Sequence, residues 1–225
     1  GGLVIEHNGK KIAITICEDV WNVDGDLYDS NPVQEVSLAQ PDLVLNLSAS
    51  PWHRGKQNIR QELLSKVAPA CASKVVYVNM VGGNDELIFD GGSMAVDEEG
   101  SPQAVLPSFT ECLQVMDLSE ETSVPASSPE GNSLDNLRKA LVLGVRDYAH
   151  KRGFTKGLVG LSGGIDSAVT ACVAAEALGP ENILGISLPS AISSQHSKDD
   201  AASLATNLRI QYSTLAIQSI VDAAT

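Results

Sequence analysis

The chain has 225 residues, 43% of them hydrophobic and with neither Gly nor Pro in excess, enough for one large domain or two of ordinary size around a real core. No apolar run approaches the length of a membrane-spanning helix, so the composition is that of a soluble globular protein. Fifteen Lys and Arg stand against 28 Asp and Glu, a formal charge of -13 with the basic residues scattered, which argues against a nucleic-acid surface and against a membrane partner.

Four cysteines, Cys17, Cys71, Cys112 and Cys172, show no CxxC spacing and follow no signal-peptide pattern. They read as reduced thiols of a cytoplasmic protein. Cys71, Cys112 and Cys172 sit among small or apolar neighbours and are expected in the core. The chain starts inside a strand-like pattern and stops inside a helix-like one, as an internal piece of a longer protein would.

Residues 3–6 and 11–16, separated by His7-Asn8-Gly9, predict a β-hairpin, because Asn and Gly tolerate the positive φ of a tight turn. The pattern then alternates: helix over 33–40, strand over 43–47, helix over 57–73, strand over 75–79. Shorter strands follow at 93–96, 103–106 and 112–117. Strand and helix in turn predict a sheet flanked by helices. Polar residues collect at the strand ends, Asn46, Ser48, Ser50, Asn79 and the Asp85-Glu86 pair.

Cys17 ends the second strand, KIAITI, and is followed by Glu18, Asp19, Val20 and Trp21. A thiol where a buried strand breaks into a polar turn stands at the sheet rim, where α/β sites commonly lie and where backbone N–H groups past the turn can form an oxyanion hole. A strand-end cysteine serves packing as often as chemistry, and the local pattern does not separate the two. The wording ITICEDVW, LNLSASPWHRGK and YVNMVGGNDELIFDGGS resembles the later part of a nitrilase-superfamily domain, in the form found as the glutaminase domain of glutamine-dependent NAD⁺ synthetases.

That resemblance implies that Cys17 is the nucleophile attacking the glutamine side-chain amide, and that Ser50 and Lys56 grip the glutamine. Lys56 also fits an ordinary solvated lysine opening a helix. Nitrilase-type thiols work with a Glu base and a Lys that lie upstream. Only sixteen residues precede Cys17, so the expectation is that the 225 residues alone neither hydrolyse glutamine nor make NAD⁺.

Residues 119–133, rich in Ser, Pro and acidic residues, predict a linker. Asn132 or Ser133 then caps a helix on which Leu134, Leu137, Leu141, Val145 and Tyr148 recur at helical spacing, an apolar face expected to pack on the next sheet. A strand over 158–161, a helix over 166–178 stopped by Gly179-Pro180, a strand over 182–188, a helix over 197–207, a strand over 210–216 and a further helix from 217 make a β-α-β-α-β order. Such an order predicts parallel strands with the ligand across their ends.

Between the first of these strands and its helix lies Ser162-Gly163-Gly164-Ile165-Asp166-Ser167. A strand turning through paired glycines into a helix gathers backbone N–H groups at the positive end of the helix dipole, an anion site. Positive φ is expected at Gly163 and Gly164, and Ser162 and Ser167 add hydroxyls. Asp166 repels phosphate and makes sense as a Mg²⁺ ligand. No lysine follows the glycines, so this is not the Walker loop; a turn built only for tight packing is the bland alternative.

SGGIDS is similar to the pyrophosphate loop of the ATP pyrophosphatase superfamily. With the thiol half ahead of it, the resemblance implies a partial nitrilase-like α/β sandwich (1–118), the linker (119–133), and a partial doubly wound parallel sheet of the adenine nucleotide alpha hydrolase kind (134–225). It implies a carbon–nitrogen ligase in which ATP, bound by Gly160 to Ser167 with Mg²⁺ on Asp166, adenylates deamido-NAD⁺. Ammonia from glutamine then displaces AMP. Leu188-Pro189-Ser190 would support the adenine, and residues 193–200 match a loop that closes over the nucleotide, with His196 read as solvated. A homo-oligomer is the family expectation, and another amidotransferase or ligase of ATP pyrophosphatase type is the alternative.

Overall fold

The hairpin forms as its turn chemistry demands: β1 (Leu3–His7) and β2 (Lys10–Ile16) pair antiparallel around Asn8 and Gly9, both at positive φ (52° and 74°). In this computed structural model, residues 3–27, 29–118 and 133–224 are described. The chain divides into two compact units, residues 1–82 with 87–140, and residues 83–86 with 141–225.

In the first unit, β2, β3 (Leu43–Ser48) and β4 (Lys74–Asn79) are parallel neighbours. β7 (Met94–Val96) and β8 (Pro102–Val105) add antiparallel, giving the order β1-β2-β3-β4-β7-β8. Alternate residues Ala13, Val44, Val75 and Tyr77 point to one face, where α1 (Pro32–Ser37) and α2 (Lys56–Cys71) supply Val33, Val36, Leu64 and Val67, the two-residue period of a strand meeting the apolar stripe of a helix. Asn31 caps α1, its Oδ1 accepting from the Gln34 N–H at 3.1 Å. Ile16, Leu47 and Val78, of opposite parity on their strands, are exposed.

Two local expectations change. Residues 81–84 and 87–90 form a separate hairpin, β5 (Val81–Asn84) and β6 (Leu87–Asp90), turning at Asp85 with φ 50°. The glycines of VGGN mask its alternation in the sequence. The strand expected at 112–117 is irregular coil: Leu113 and Val115 are almost fully exposed, with no neighbour among the described residues to bury them.

In the second unit, β9 (Gly157–Gly160), β10 (Ile183–Ser187) and β11 (Gln211–Thr214) are all parallel, in the order β11-β10-β9. α4 (Ile165–Leu178) and α5 (Gln195–Leu208) connect them, and α6 (Gln218–Ala224) follows. Ala171, Ala175, Ala201 and Ala205 bring α4 and α5 together over Leu161, Ile183 and Ile210. Small side chains allow that close approach. This is one winding of the expected doubly wound sheet.

The helix expected from residue 133 is α3 (Ser133–Lys151), but its apolar stripe is not its buried face. Leu134, Leu137, Leu141, Val145 and Tyr148 are between 39% and 70% exposed, whereas Ala140, Leu143 and Ala149 are buried. Within the second unit the polar side of α3 makes a specific contact: the Gly83 N–H donates to Asp147 Oδ2 at 2.8 Å, and Lys151 Nζ donates to the Gly83 carbonyl. Gly83 lets the two elements come this close, since a Cβ there would lie 3.2 Å from the Gly144 Cα. Asp85 and Glu86 group with the second unit. Most of the linker, residues 119–132, lies outside the described residues, and no described helix is long and apolar enough to cross a membrane.

Of the three cysteines expected in the core, only Cys71 is buried; Cys112 and Cys172 are exposed. Cys112 lies in the coil after β8. Cys172 is on α4 beside Ala171 and Ala175, whose small side chains carry that helix's buried contact.

Candidate functional site

Cys17 stands where β2 passes into a short 3₁₀ turn over Cys17–Val20, and its backbone is left-handed, φ 44°. For a residue with a Cβ that conformation costs on the order of 1 kcal/mol, and the surroundings hold it: Asp19 Oδ2 accepts from the Ile16 N–H at 2.8 Å, and the Glu18 carbonyl accepts from the Trp21 N–H at 2.9 Å. The thiol is half-buried. The parallel pairings Ile16↔Leu47 and Ser48↔Asn79 bring the ends of β2, β3 and β4 to one rim.

Lys56 opens α2 and rests its ammonium 3.9 Å from the centre of the Trp21 ring, a cation–π contact. Burial first, then the Arg60 charge, hold Lys56 below the ordinary lysine range, while Cys17 and Asp90 pull the other way. The Cys17 thiol and the Lys56 ammonium therefore share one electrostatic neighbourhood.

Ser50 is 2% exposed and belongs to a buried polar network. Arg60, fully buried, donates from Nη1 to Asp90 Oδ1 at 2.7 Å and Oδ2 at 2.9 Å, and to Gln57 Oε1 at 3.2 Å. Its Nη2 donates to the Ser50 carbonyl at 2.8 Å and to Ser50 Oγ at 3.3 Å. The Ser50 N–H donates to Asn79 Oδ1 at 2.9 Å, and Asn79 Nδ2 donates to the Gly91 carbonyl at 2.9 Å. Burial pushes the Asp90 carboxyl up, against the pull of Arg60. The segment leading to Lys56 is thus tied down at Ser50 by side chains from α2, β4 and β6.

Arg60 and Asp90 were not among the residues expected at the site. Their signal was periodicity: Gln57, Arg60, Leu64, Val67 and Cys71 lie on one stripe of α2, so the arginine falls on the core face and requires a buried acid.

In the second unit β9 delivers Gly160 and Leu161. Leu161 N–H donates to the Ile186 carbonyl at 2.8 Å, while its side chain sits in the core. The chain then turns through Ser162, Gly163 and Gly164. Gly163 has φ 81° as expected, but Gly164, at φ -92° and ψ 160°, caps α4 in an extended conformation; one left-handed residue suffices for the turn. Ser167 Oγ donates to the Gly164 carbonyl at 2.9 Å, and Ser162 Oγ accepts from the Gly164 N–H at 3.2 Å. Ile165 and Asp166 are exposed in the first turn of α4.

Beside this loop opens a cavity of about 280 Å³ lined by Gly160 to Ser162, Ile186 to Pro189, and Ser193, Ser197 and Lys198. The structure brings Gly160, Leu161 and Ser162 together with Leu188 and Pro189, at the carboxyl ends of β9 and β10. Residues 193–200 are not all loop: Ser194 caps α5, its Oγ accepting from the Ser197 N–H at 3.1 Å. His196 projects to solvent and meets Asp200 at 2.9 Å.

Among the described residues no three acidic, His or Cys side chains cluster as a metal site. The single exposed carboxylate of Asp166 at the start of α4 is compatible with Mg²⁺ all the same, because that ion is commonly held by one or two carboxylates plus the phosphates of a nucleotide.

A parallel α/β unit with a glycine turn beside a strand-end cavity, preceded by a unit presenting a strained strand-end thiol, defines a two-part α/β protein. Residues 137–225 match the NAD synthase family model. By sequence the chain is similar to the glutamine-dependent NAD⁺ synthetases. It is 47% identical to that synthetase from Synechocystis sp. over 223 residues, 96% of this chain and 40% of the relative, and 36% identical to that from Thermotoga maritima over 93% of this chain and 42% of the relative. The solved structure of the glutamine-dependent NAD⁺ synthetase from Acinetobacter baumannii in complex with adenosine diphosphate superimposes with a TM-score of 0.90 at 36% identity, covering all of this chain and 42% of that one. The chain thus spans about 40% of the length of the relatives it matches.

Proposed function

We propose that this chain carries the glutaminase thiol and the ATP loop of a glutamine-dependent NAD⁺ synthetase, residues 1–118 forming the later part of a nitrilase-like domain and 134–225 the beginning of the synthetase domain. Cys17 Sγ, as thiolate, attacks the glutamine side-chain carbonyl carbon. The C–N bond of the tetrahedral intermediate breaks as its nitrogen takes up the proton the thiol gave up, ammonia leaves, and water hydrolyses the remaining thioester to glutamate and free thiol. Lys56 binds the glutamine, offering a cation to its carboxylate, and Ser50, buried and held by Arg60, positions the segment that leads to Lys56.

In the second unit a carboxylate oxygen of deamido-NAD⁺ attacks the α-phosphorus of ATP. The bond to the bridging oxygen breaks and pyrophosphate departs, bound by the Gly163 and Gly164 backbone and the hydroxyls of Ser162 and Ser167. Ammonia then attacks the acyl carbon and AMP leaves. Asp166 would hold Mg²⁺, whose charge offsets that of the polyphosphate. A cytoplasmic homo-oligomer completes the proposal.

The single supporting observation is that a cavity of about 280 Å³ opens beside Ser162, the first residue of SGGIDS, in a chain whose relative, the Acinetobacter baumannii synthetase, is described in complex with ADP. Calorimetry with ATP in the presence and absence of Mg²⁺ tests the nucleotide half: Mg²⁺ should tighten ATP binding to the protein and should do so far less in Asp166→Asn. Absence of ATP binding would end that half. For the thiol half, a glutamine analogue with an electrophilic side chain should add to Cys17 by intact mass, be blocked by glutamine, and react more slowly in Lys56→Met. Labelling indifferent to glutamine would remove it.

A further inference from the structure

The SGGIDS turn presents a difficulty that its own residues leave open. It must receive a polyphosphate, yet its one charged side chain, Asp166, is an anion, and no lysine follows its glycines. Of the residues lining the adjacent cavity, only Lys198 is charged. It lies in the first turn of α5, its N–H donating to the Ser194 carbonyl at 3.4 Å.

The turn and this stretch of α5 are in intimate contact. A Cβ at Gly163 would collide with the carbonyl oxygen of Ser197 and lie 2.8 Å from its Cα, so glycine at 163 is what lets the residue before Lys198 sit against the loop. The acidic neighbours of Lys198 face other partners: Asp199 accepts from Gln195 Nε2 at 2.8 Å, and Asp200 meets His196. The Lys198 ammonium has no hydrogen-bond or ion-pair partner among the described residues, and the side chain is half-buried at the cavity wall.

We propose that Lys198 is the cation that binds the β- and γ-phosphates of the nucleotide, taking from α5 the place that a Walker loop gives to its own lysine. This rests on reading the cavity as the ATP site. A lysine carried 35 residues downstream on a second helix binds the polyphosphate only when α5 is docked on the loop, so the charge discriminates ATP from AMP and adenosine rather than adding to adenine affinity.

The test is calorimetric, on the full chain, with ATP-Mg²⁺ and AMP as separate ligands. Lys198→Met and Lys198→Gln should weaken ATP binding roughly ten-fold or more, as loss of one charge-assisted contact does. AMP binding should stay within about two-fold and Lys198→Arg within about three-fold of the parent for ATP. Equal loss of ATP and AMP, no loss of ATP, or an arginine variant as weak as the methionine one would each overturn the assignment while leaving the ATP site standing. A parent protein that binds neither nucleotide would overturn the underlying reading and this one with it.

Discussion

Replacing Arg60 by methionine isolates the energetics of the network that holds the Ser50–Lys56 segment. The guanidinium and the Asp90 carboxylate are both out of water, 0% and 1% exposed, and joined by contacts of 2.7 and 2.9 Å. Methionine refills most of the stem volume but takes the guanidinium from Asp90, leaving it Asn79 Nδ2 at 3.5 Å and its own backbone N–H, and it strips the donor from the Ser50 carbonyl. Breaking a buried pair by removing one partner costs about 3–5 kcal/mol, because the surviving charge stays desolvated.

If Asp90 instead takes up a proton, the cost is about 1.4 kcal/mol for each unit by which the working pH lies above the ordinary carboxyl pKa. Arg60→Met is therefore expected to lower the stability of the first unit by about 3 kcal/mol or more at neutral pH, and by less at acidic pH. Both tryptophans of the chain, Trp21 and Trp52, lie in this unit, so urea unfolding followed by tryptophan fluorescence reports on it alone. Arg60→Met/Asp90→Asn, which removes both charges, should recover part of the loss. A single-variant cost below about 1 kcal/mol, or no recovery in the double variant, would refute this account of the network.

Gly163→Ala places a Cβ against the Ser197 carbonyl at φ 81°; it should cost on the order of 1–3 kcal/mol in the second unit and weaken ATP binding sharply, with a near-parent melting curve and intact binding as the contrary result. Burial pushes the Cys71 thiol above its ordinary value, so the unfolded thiol ionises first as pH rises. Stability attributable to that site is whole below about pH 9 and falls above it by up to about 1.4 kcal/mol per unit; Cys71→Ala should lose this falling contribution relative to the parent, and urea midpoints across pH 8 to 10 in the two proteins decide it. Tyr77 carries a buried hydroxyl with no partner among the described residues. Tyr77→Phe removes an unsatisfied polar atom and should be neutral or stabilising by up to about 1 kcal/mol, whereas a clear loss in thermal melting would mean that the hydroxyl is satisfied in solution.

Much of this molecule is written in short-range chemistry. Asn8-Gly9 makes its hairpin, the alternation of apolar strands with helix formers makes the parallel sheets, and Ser162 to Ser167 makes the turn into α4. Each depends on residues within a few positions of one another, where turn preferences and the periods of 2 and 3.6 act. Even the strand-end setting of Cys17 follows from where KIAITI stops.

Tertiary structure decided what lies across from what. Arg60 finds Asp90 at a separation of 30 residues, Lys198 arrives beside a loop on another helix, and Gly83 reaches Asp147 64 residues away. The best apolar stripe of α3 is left exposed while Ala140, Leu143 and Ala149 are buried. Burial is a property of the surface a side chain happens to meet, and that surface is assembled only when distant strands pair. A periodic pattern therefore shows which face of a helix is apolar, and packing alone determines which face is covered.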